Sequence, residues 1–139
     1  MAQTLKDYDS HLQVGGPGLA GNMNFLRGFL AHCQANAVPL DFVSWHIYTT
    51  APYQQYLRAA DVQNLMAAYG FSSAEQLLTE WNWSLTGTKD EYWNARGAAW
   101  TASVLAYLQD SPVVISNRYR GNGGGTDGTC LGLFYDNGD

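Results

Sequence analysis

Glu80 closes the apolar run Leu77-Leu78-Thr79 and is followed by Trp81-Asn82-Trp83-Ser84. A carboxylate in that position can attack an anomeric carbon or assist a proton transfer, and indole rings beside it can stack on the apolar face of a sugar. The same residue also fits a surface acid or a helix cap after a strand. A second group lies in Ser44-Trp45-His46-Ile47-Tyr48, where period-two alternation puts Ser44, His46 and Tyr48 on one face and Trp45 and Ile47 on the other. If that face meets Glu80, the Tyr48 hydroxyl can donate to the carboxylate and keep it ionised and oriented, as a nucleophile requires. Otherwise His46 and Tyr48 are core residues satisfied by backbone. His11 and His32 have no partner pattern and read as surface residues. Asn82-Trp83-Ser84 matches the N-glycosylation pattern, but a glycan beside Glu80 would block the face where the aromatic residues converge.

Strands must position these residues. His11–Val14 reads as a short strand running into a tight loop at Gly15-Gly16-Pro17-Gly18. From Asn24 to Asn36 the residues Phe25, Leu26, Phe29, Leu30 and Cys33 recur every three or four positions, the stripe of an amphipathic helix. Asp41–Tyr48, rich in aromatic and β-branched residues, reads as a strand. The pattern repeats with a helix over about Ala59–Tyr69, a strand at Gln76–Glu80, a helix over Glu91–Leu108 and a strand at Val113–Ser116. The strand starts Leu12, Phe42, Leu77 and Val113 are 30, 35 and 36 residues apart, the length of a βα unit in a parallel sheet.

The expected fold class is therefore α/β, with parallel βα units. A closed barrel of eight such units needs roughly 250 residues, so 139 residues supply about half of one. The competing architecture is a small doubly wound sheet. Neither Gly15–Gly18 nor Gly123-Gly124-Gly125 has the spacing and following helix of a phosphate-binding loop, so both read as turns and no cofactor is expected. Residues 1–139 read as one domain, with βα units to residue 116 and a Gly-rich tail over 117–139 that includes a short extended piece at Gly132–Tyr135.

Composition bounds the partners. A hydrophobic fraction of 46% with only 14% charged residues excludes disorder. A net charge of -5 and a pI near 4.9 speak against nucleic acid and anionic membranes. No segment approaches the ~20 apolar residues of a membrane span, and Met1–Ser10 has no apolar leader core. Cys33 and Cys130, 97 residues apart, read as buried free thiols rather than a disulfide scaffold or metal site. The compartment is not legible.

Val14-Gly15-Gly16-Pro17, Asp41-Phe42-Val43-Ser44-Trp45-His46-Ile47-Tyr48 and Leu78-Thr79-Glu80-Trp81-Asn82 together resemble the strand 5, strand 6 and strand 7 signatures of glycoside hydrolase family 39. That family includes β-xylosidases and α-L-iduronidases and belongs to the retaining (β/α)8-barrel clan A. The resemblance covers about residues 5–116 and implies a half-barrel of strands 5 to 8. It also likens Met1–Asp9 to the end of the helix after strand 4. It implies that Glu80 is the catalytic nucleophile, that His46 and Tyr48 line the adjoining sugar subsite, and that Gly15 to Pro17 form the strand 5 turn. Trp81, Asn82 and Trp83, next to Glu80 in sequence, are also expected to contribute to substrate binding.

The sequence also departs from the family pattern. The family's acid/base glutamate follows an asparagine at the end of strand 4, before the first residue here, and Ser116-Asn117-Arg118-Tyr119 lacks the tryptophan that many clan members place on strand 8. Glu75 lies ~16 Å along the strand from Glu80, whereas a retaining pair needs about 5 to 5.5 Å. Glu91 opens the next helix, where an acid complements the dipole.

The expected function is thus the nucleophile half of a retaining O-glycosidase, weak or inactive alone. The alternatives are a non-catalytic carbohydrate-binding or scaffold half-barrel and a fragment with no evolved role. A carbohydrate substrate is expected, and because a half-barrel leaves unpaired edges, so is a homo-oligomer closing it.

Overall fold

The computed structural model describes residues 1–84, 94–121 and 132. Along them run α1 (Ala2–Tyr8), β1 (Gly15–Ala20), α2 (Met23–Ala35), β2 (Phe42–Tyr48), α3 (Gln54–Ala68), β3 (Glu75–Asn82), α4 (Ala95–Gln109) and β4 (Val113–Arg118). The four strands form one sheet in the order β1-β2-β3-β4, and every neighbouring pair is parallel. Parallel neighbours need a crossover, and α2, α3 and α4 supply one each.

One face of the sheet is covered by these helices. Val43 and Trp45 of β2 and Leu78 and Trp81 of β3 join Leu26 and Leu30 of α2, Val62 and Met66 of α3, and Trp100 and Val104 of α4 in a single buried cluster. A fully buried Leu, Val or Met contributes about 1.5–3 kcal/mol, so this layer drives the fold. The α2 stripe behaves as its spacing requires at Leu26, Leu30 and Cys33, whereas Phe25 is 56% exposed. Burial raises the Cys33 thiol above its ordinary range. Gln76 turns to the same side and donates to the Ala59 carbonyl at 3.1 Å and to Gln63 Oε1 at 2.9 Å, tying β3 to α3.

The first strand is displaced from its expected place. His11–Val14 is not a strand, and β1 runs instead through the glycines read as a loop. A Cβ at Gly15 would come within 2.2 Å of the Phe42 carbonyl oxygen, so the missing side chain is what lets β1 approach β2. Gly18, at φ +69°, is the extra residue of a bulge, because Pro17 pairs with Ser44 and Leu19 with Trp45. Its N–H donates to Ser44 Oγ at 2.9 Å. Strands tolerate proline beside such a bulge.

Other boundaries shift less. α3 begins at Gln54, five residues before the expected Ala59, and β3 and β4 each run two residues further, to Asn82 and Arg118. α4 begins at Ala95, where Asn94 Oδ1 accepts from the N–H groups of Arg96 and Gly97. Glu91, Cys130, the triple glycine and the extended piece, apart from Gly132, lie outside the described residues.

The N-terminal end of the sheet is knotted by Asp41. Its carboxylate takes the Lys6 ammonium at 2.8 Å and the Val14 N–H at 2.7 Å. Its N–H donates to the Val14 carbonyl and its carbonyl accepts from Glu75 N–H. One residue thus joins α1, the approach to β1, β2 and β3. The Lys6 hydrogen bond first, then the Val14 N–H, hold the Asp41 carboxyl below the usual carboxylate range.

Candidate active site

The alternation in β2 continues unbroken to its end and places Tyr48 on the same face as His46 and Ser44. β3 reaches that face by a different route. Trp45 pairs with Leu78, but His46 pairs with Glu80, so Thr79 is an extra residue on β3. The pairing with β4 shows the same insertion, since Leu78 pairs with Ser116 and Trp81 with Arg118. Counting by twos from buried Leu78 would send Glu80 toward the helices. The bulge at Thr79 reverses that parity and delivers Glu80 beside His46.

The result is a compact polar group at the C-terminal ends of β2 and β3. The Tyr48 hydroxyl donates to Glu80 Oε1. His46 Nδ1 lies 3.9 Å from Glu80 Oε2, too far for a hydrogen bond and within range of an ion pair when the ring is protonated. The His46 and Glu80 side chains keep 26% and 29% of their surface exposed, so both reach solvent from a partly desolvated position. They open on a cleft of about 610 Å³ lined also by Ala20, Gly21, Ile47, Thr49, Ala51, Gln54 and Arg58. That volume is in the range of small-molecule ligand sites.

The aromatic residues at the end of β3 go elsewhere. Trp81 and Trp83 are buried, and both rings pack against Trp100 of α4, with centroids 5.9 Å and 5.5 Å apart. Arg96 lies over the Trp83 ring at 4.8 Å. Neither indole lines the cleft. Asn82, also buried, braces the ends of three strands. Its Nδ2 donates to the Tyr119 carbonyl, its Oδ1 accepts from Trp83 N–H at 2.7 Å, and its carbonyl accepts from Thr49 N–H. It holds the strand end that carries Glu80 without facing the cleft.

Gln54 and Arg58 were not singled out by the sequence. They lie four residues apart on α3, one above the other, and form the helical wall of the cleft. The signal existed in that spacing, but only for a helix that starts at Gln54. His11 is exposed beside Asp9, and His32 lies in the last turn of α2. Among the described residues no group of three metal-ligating side chains occurs, and no helix is long and apolar enough to cross a membrane.

Parallel βα units with polar side chains gathered at the C-terminal strand ends have the arrangement of part of a (β/α)8 barrel, a fold whose functional residues lie on that face. Residues 1–116 match the sequence model of glycosyl hydrolases family 39, and the chain belongs to that family. It is 31% identical to a beta-xylosidase of Geobacillus stearothermophilus, over 76% of this chain and 25% of that one. A glucosidase from Croceicoccus marinus superposes with a TM-score of 0.81 at 31% identity, covering 99% of this chain and 31% of that one. A family 39 beta-xylosidase from Caulobacter crescentus superposes with a TM-score of 0.75 at 26% identity, covering 88% and 26%. The chain therefore spans about a quarter to a third of the length of these relatives.

Proposed function

We propose that this chain carries the nucleophile side of a retaining O-glycosidase site and takes a carbohydrate in its cleft. The observation that carries the reading is the Tyr48 hydroxyl on Glu80 Oε1, which orients the carboxylate and leaves Oε2 for attack. Oε2 bonds to the anomeric carbon as the bond from that carbon to the aglycone oxygen breaks, and the electron pair leaves with the aglycone. Water then cleaves the glycosyl ester and returns Glu80 as a carboxylate. His46 borders the same subsite.

The aglycone oxygen needs a proton unless it departs as a stable anion. Among the described residues Glu80 is the one carboxylate lining the cleft, and Glu75 sits exposed at the opposite end of the same strand. The chain alone is accordingly assigned only to glycosides with an activated leaving group, since loss of a general acid costs about 10² to 10⁴-fold. The alternative, a non-catalytic carbohydrate-binding half-barrel, would stack a sugar on Trp81, Trp83 and Tyr48. The burial of both indoles against α4 leaves it Tyr48 alone at the cleft, which disfavours it.

We also assign residues 1–139 to one half-barrel unit that closes with a second copy. The support is the open side of the sheet: Val114 and Ile115 of β4 are 55% and 52% exposed, and β1 and β4 are the sheet's edges. Two copies about an axis along the barrel would pair β4 of each with β1 of the other.

The test is a dinitrophenyl fluoro-glycoside of xylose or glucose, followed by mass spectrometry of the digested protein. A glycosyl adduct on Glu80, with matching release of dinitrophenolate and no adduct in Glu80→Gln, is expected. An adduct on another residue would overturn the assignment. Sugar binding without any adduct would favour the binding module.

A further inference from the structure

We propose that Arg58 makes the cleft selective for glycosides bearing an anionic group, a carboxylate or a phosphate, on the sugar that occupies it. The inference rests on the sugar-cleft reading above and deepens it by naming a substrate class. Among the described residues Arg58 is the one lysine or arginine lining the cleft, facing the space that Glu80, His46 and Tyr48 border. It is half-buried, and among the described residues it makes no hydrogen bond or ion pair. The other cations with described contacts are engaged. Lys6 is bound to Asp41, and Arg96 lies over Trp83.

A partly desolvated guanidinium is held at a cost unless something answers its charge. Nothing on its own helix does so. The nearest acid in helical register, Asp61, is exposed three positions on and forms no ion pair with it. The other cleft residue of α3, Gln54, is neutral and sits one turn earlier, so the helix presents an amide and a guanidinium side by side. That pair matches a group with two or more acceptor oxygens, which a guanidinium binds through two parallel N–H donors. Against a chain whose net charge is -5, this is a local positive wall. It faces the same space as Glu80, so an anionic substituent directed toward α3 would be drawn away from the carboxylate that must approach the anomeric carbon.

The experiment is equilibrium binding by calorimetry on the full chain, with methyl glucuronide, glucose 6-phosphate and methyl glucoside as probes, in low and in moderate salt. The anionic probes should bind about tenfold or more tightly than the neutral one. Arg58→Gln should remove that preference while leaving neutral sugar binding in place, and Arg58→Lys should restore only part of it. Added salt should weaken the anionic probes selectively. Tighter binding of the uronide identifies a sugar acid as the source of the charge, and tighter binding of the phosphate identifies a phosphosugar. Equal affinity for all three probes, or a preference that survives Arg58→Gln, would overturn the proposal. So would the absence of binding by any probe. Glu80 labelling by the fluoro-glycoside is read independently, so the nucleophile assignment stands or falls separately. An unchanged circular dichroism spectrum of Arg58→Gln shows that the variant is folded, since the residue is half-exposed and glutamine is a good helix former.

Discussion

Replacing Tyr48 by phenylalanine removes one oxygen atom and leaves the ring at the cleft wall. What disappears is the donation to Glu80 Oε1. A hydrogen bond to a charged acceptor contributes about 1.5–3 kcal/mol. The Glu80 side chain is 29% exposed, so water can partly replace the hydroxyl and the lower end of that range applies. The rate responds to orientation rather than to this ground-state energy, and a misdirected Oε2 that raises the barrier by a similar amount, about 1.4 kcal/mol, slows attack about tenfold. A second effect opposes it, because a carboxylate relieved of a donor is intrinsically a better nucleophile. Orientation wins in this geometry. The hydroxyl binds Oε1, which becomes the carbonyl oxygen of the ester and keeps accepting, whereas attack proceeds through Oε2. The donor therefore fixes the direction of Oε2 throughout the step and loses only part of its strength. The expected result is labelling of Glu80 by the fluoro-glycoside slowed about tenfold in Tyr48→Phe, with a thermal midpoint lowered by only a few degrees. Equal rates in a folded variant would refute the reasoning and leave Tyr48 as a packing residue, and a faster rate would mean that nucleophilicity outweighs orientation.

Asp41 predicts a pH dependence of stability. Its carboxyl is lowered in the folded state by Lys6 and Val14, so its contribution is fully present above the unfolded value of about 3.9 and is lost as pH falls through the lowered folded value. Urea midpoints of the native chain should hold above about pH 5 and fall below about 4, and Asp41→Asn should lose about 1–3 kcal/mol at neutral pH and show a flatter acid limb. The assembly assignment predicts a dimer in sedimentation at micromolar concentration, with Ile115→Lys shifting it to monomer. A compact native monomer at that concentration would reject closure by a second copy.

Much of the sheet was legible because β2, β3 and β4 each carry an apolar run that only a strand of that length can bury, spaced by helical stripes. β1 was not legible. Its glycines and proline signal a turn in local terms, and only the contact of Gly15 with Phe42 and the bulge at Gly18 turn that composition into a strand. The start of α3 was hidden for a related reason, since Tyr53 offers no side-chain cap and the helix opens on two glutamines. That omission also concealed Gln54 and the helical setting of Arg58. In the site, His46 and Tyr48 could be paired from alternation alone, because β2 has no extra residue between them. The facing of Glu80 could not be, because it depends on the bulge at Thr79, which shows only in the register with β2 and β4. Trp81 and Trp83 invite a stacking role by their proximity in sequence to Glu80, yet Trp81 follows the bulge onto the helix face, and Trp100 completes an aromatic layer around both.

The two ends of the sheet are therefore built for different purposes, and this limits what closure by a second copy can achieve. At the N-terminal end, the Asp41 bonds bind four elements together and contribute stability without touching the cleft. At the C-terminal end, Asn82 fixes the strand ends and the Thr79 bulge aims Glu80, while His46, Tyr48 and Arg58 leave the cleft open. In the proposed dimer the strand set beside β1 is the partner's β4, whose C-terminal end, Ser116-Asn117-Arg118, carries no carboxylate. The two copies of Glu80 would stand four strands apart, facing across the barrel rather than at the 5 to 5.5 Å of a retaining pair. Closure would complete the sheet and cover Ile115, but it would not supply the proton that an unactivated aglycone requires. Dimerisation should accordingly raise stability with little change in the rate of dinitrophenolate release.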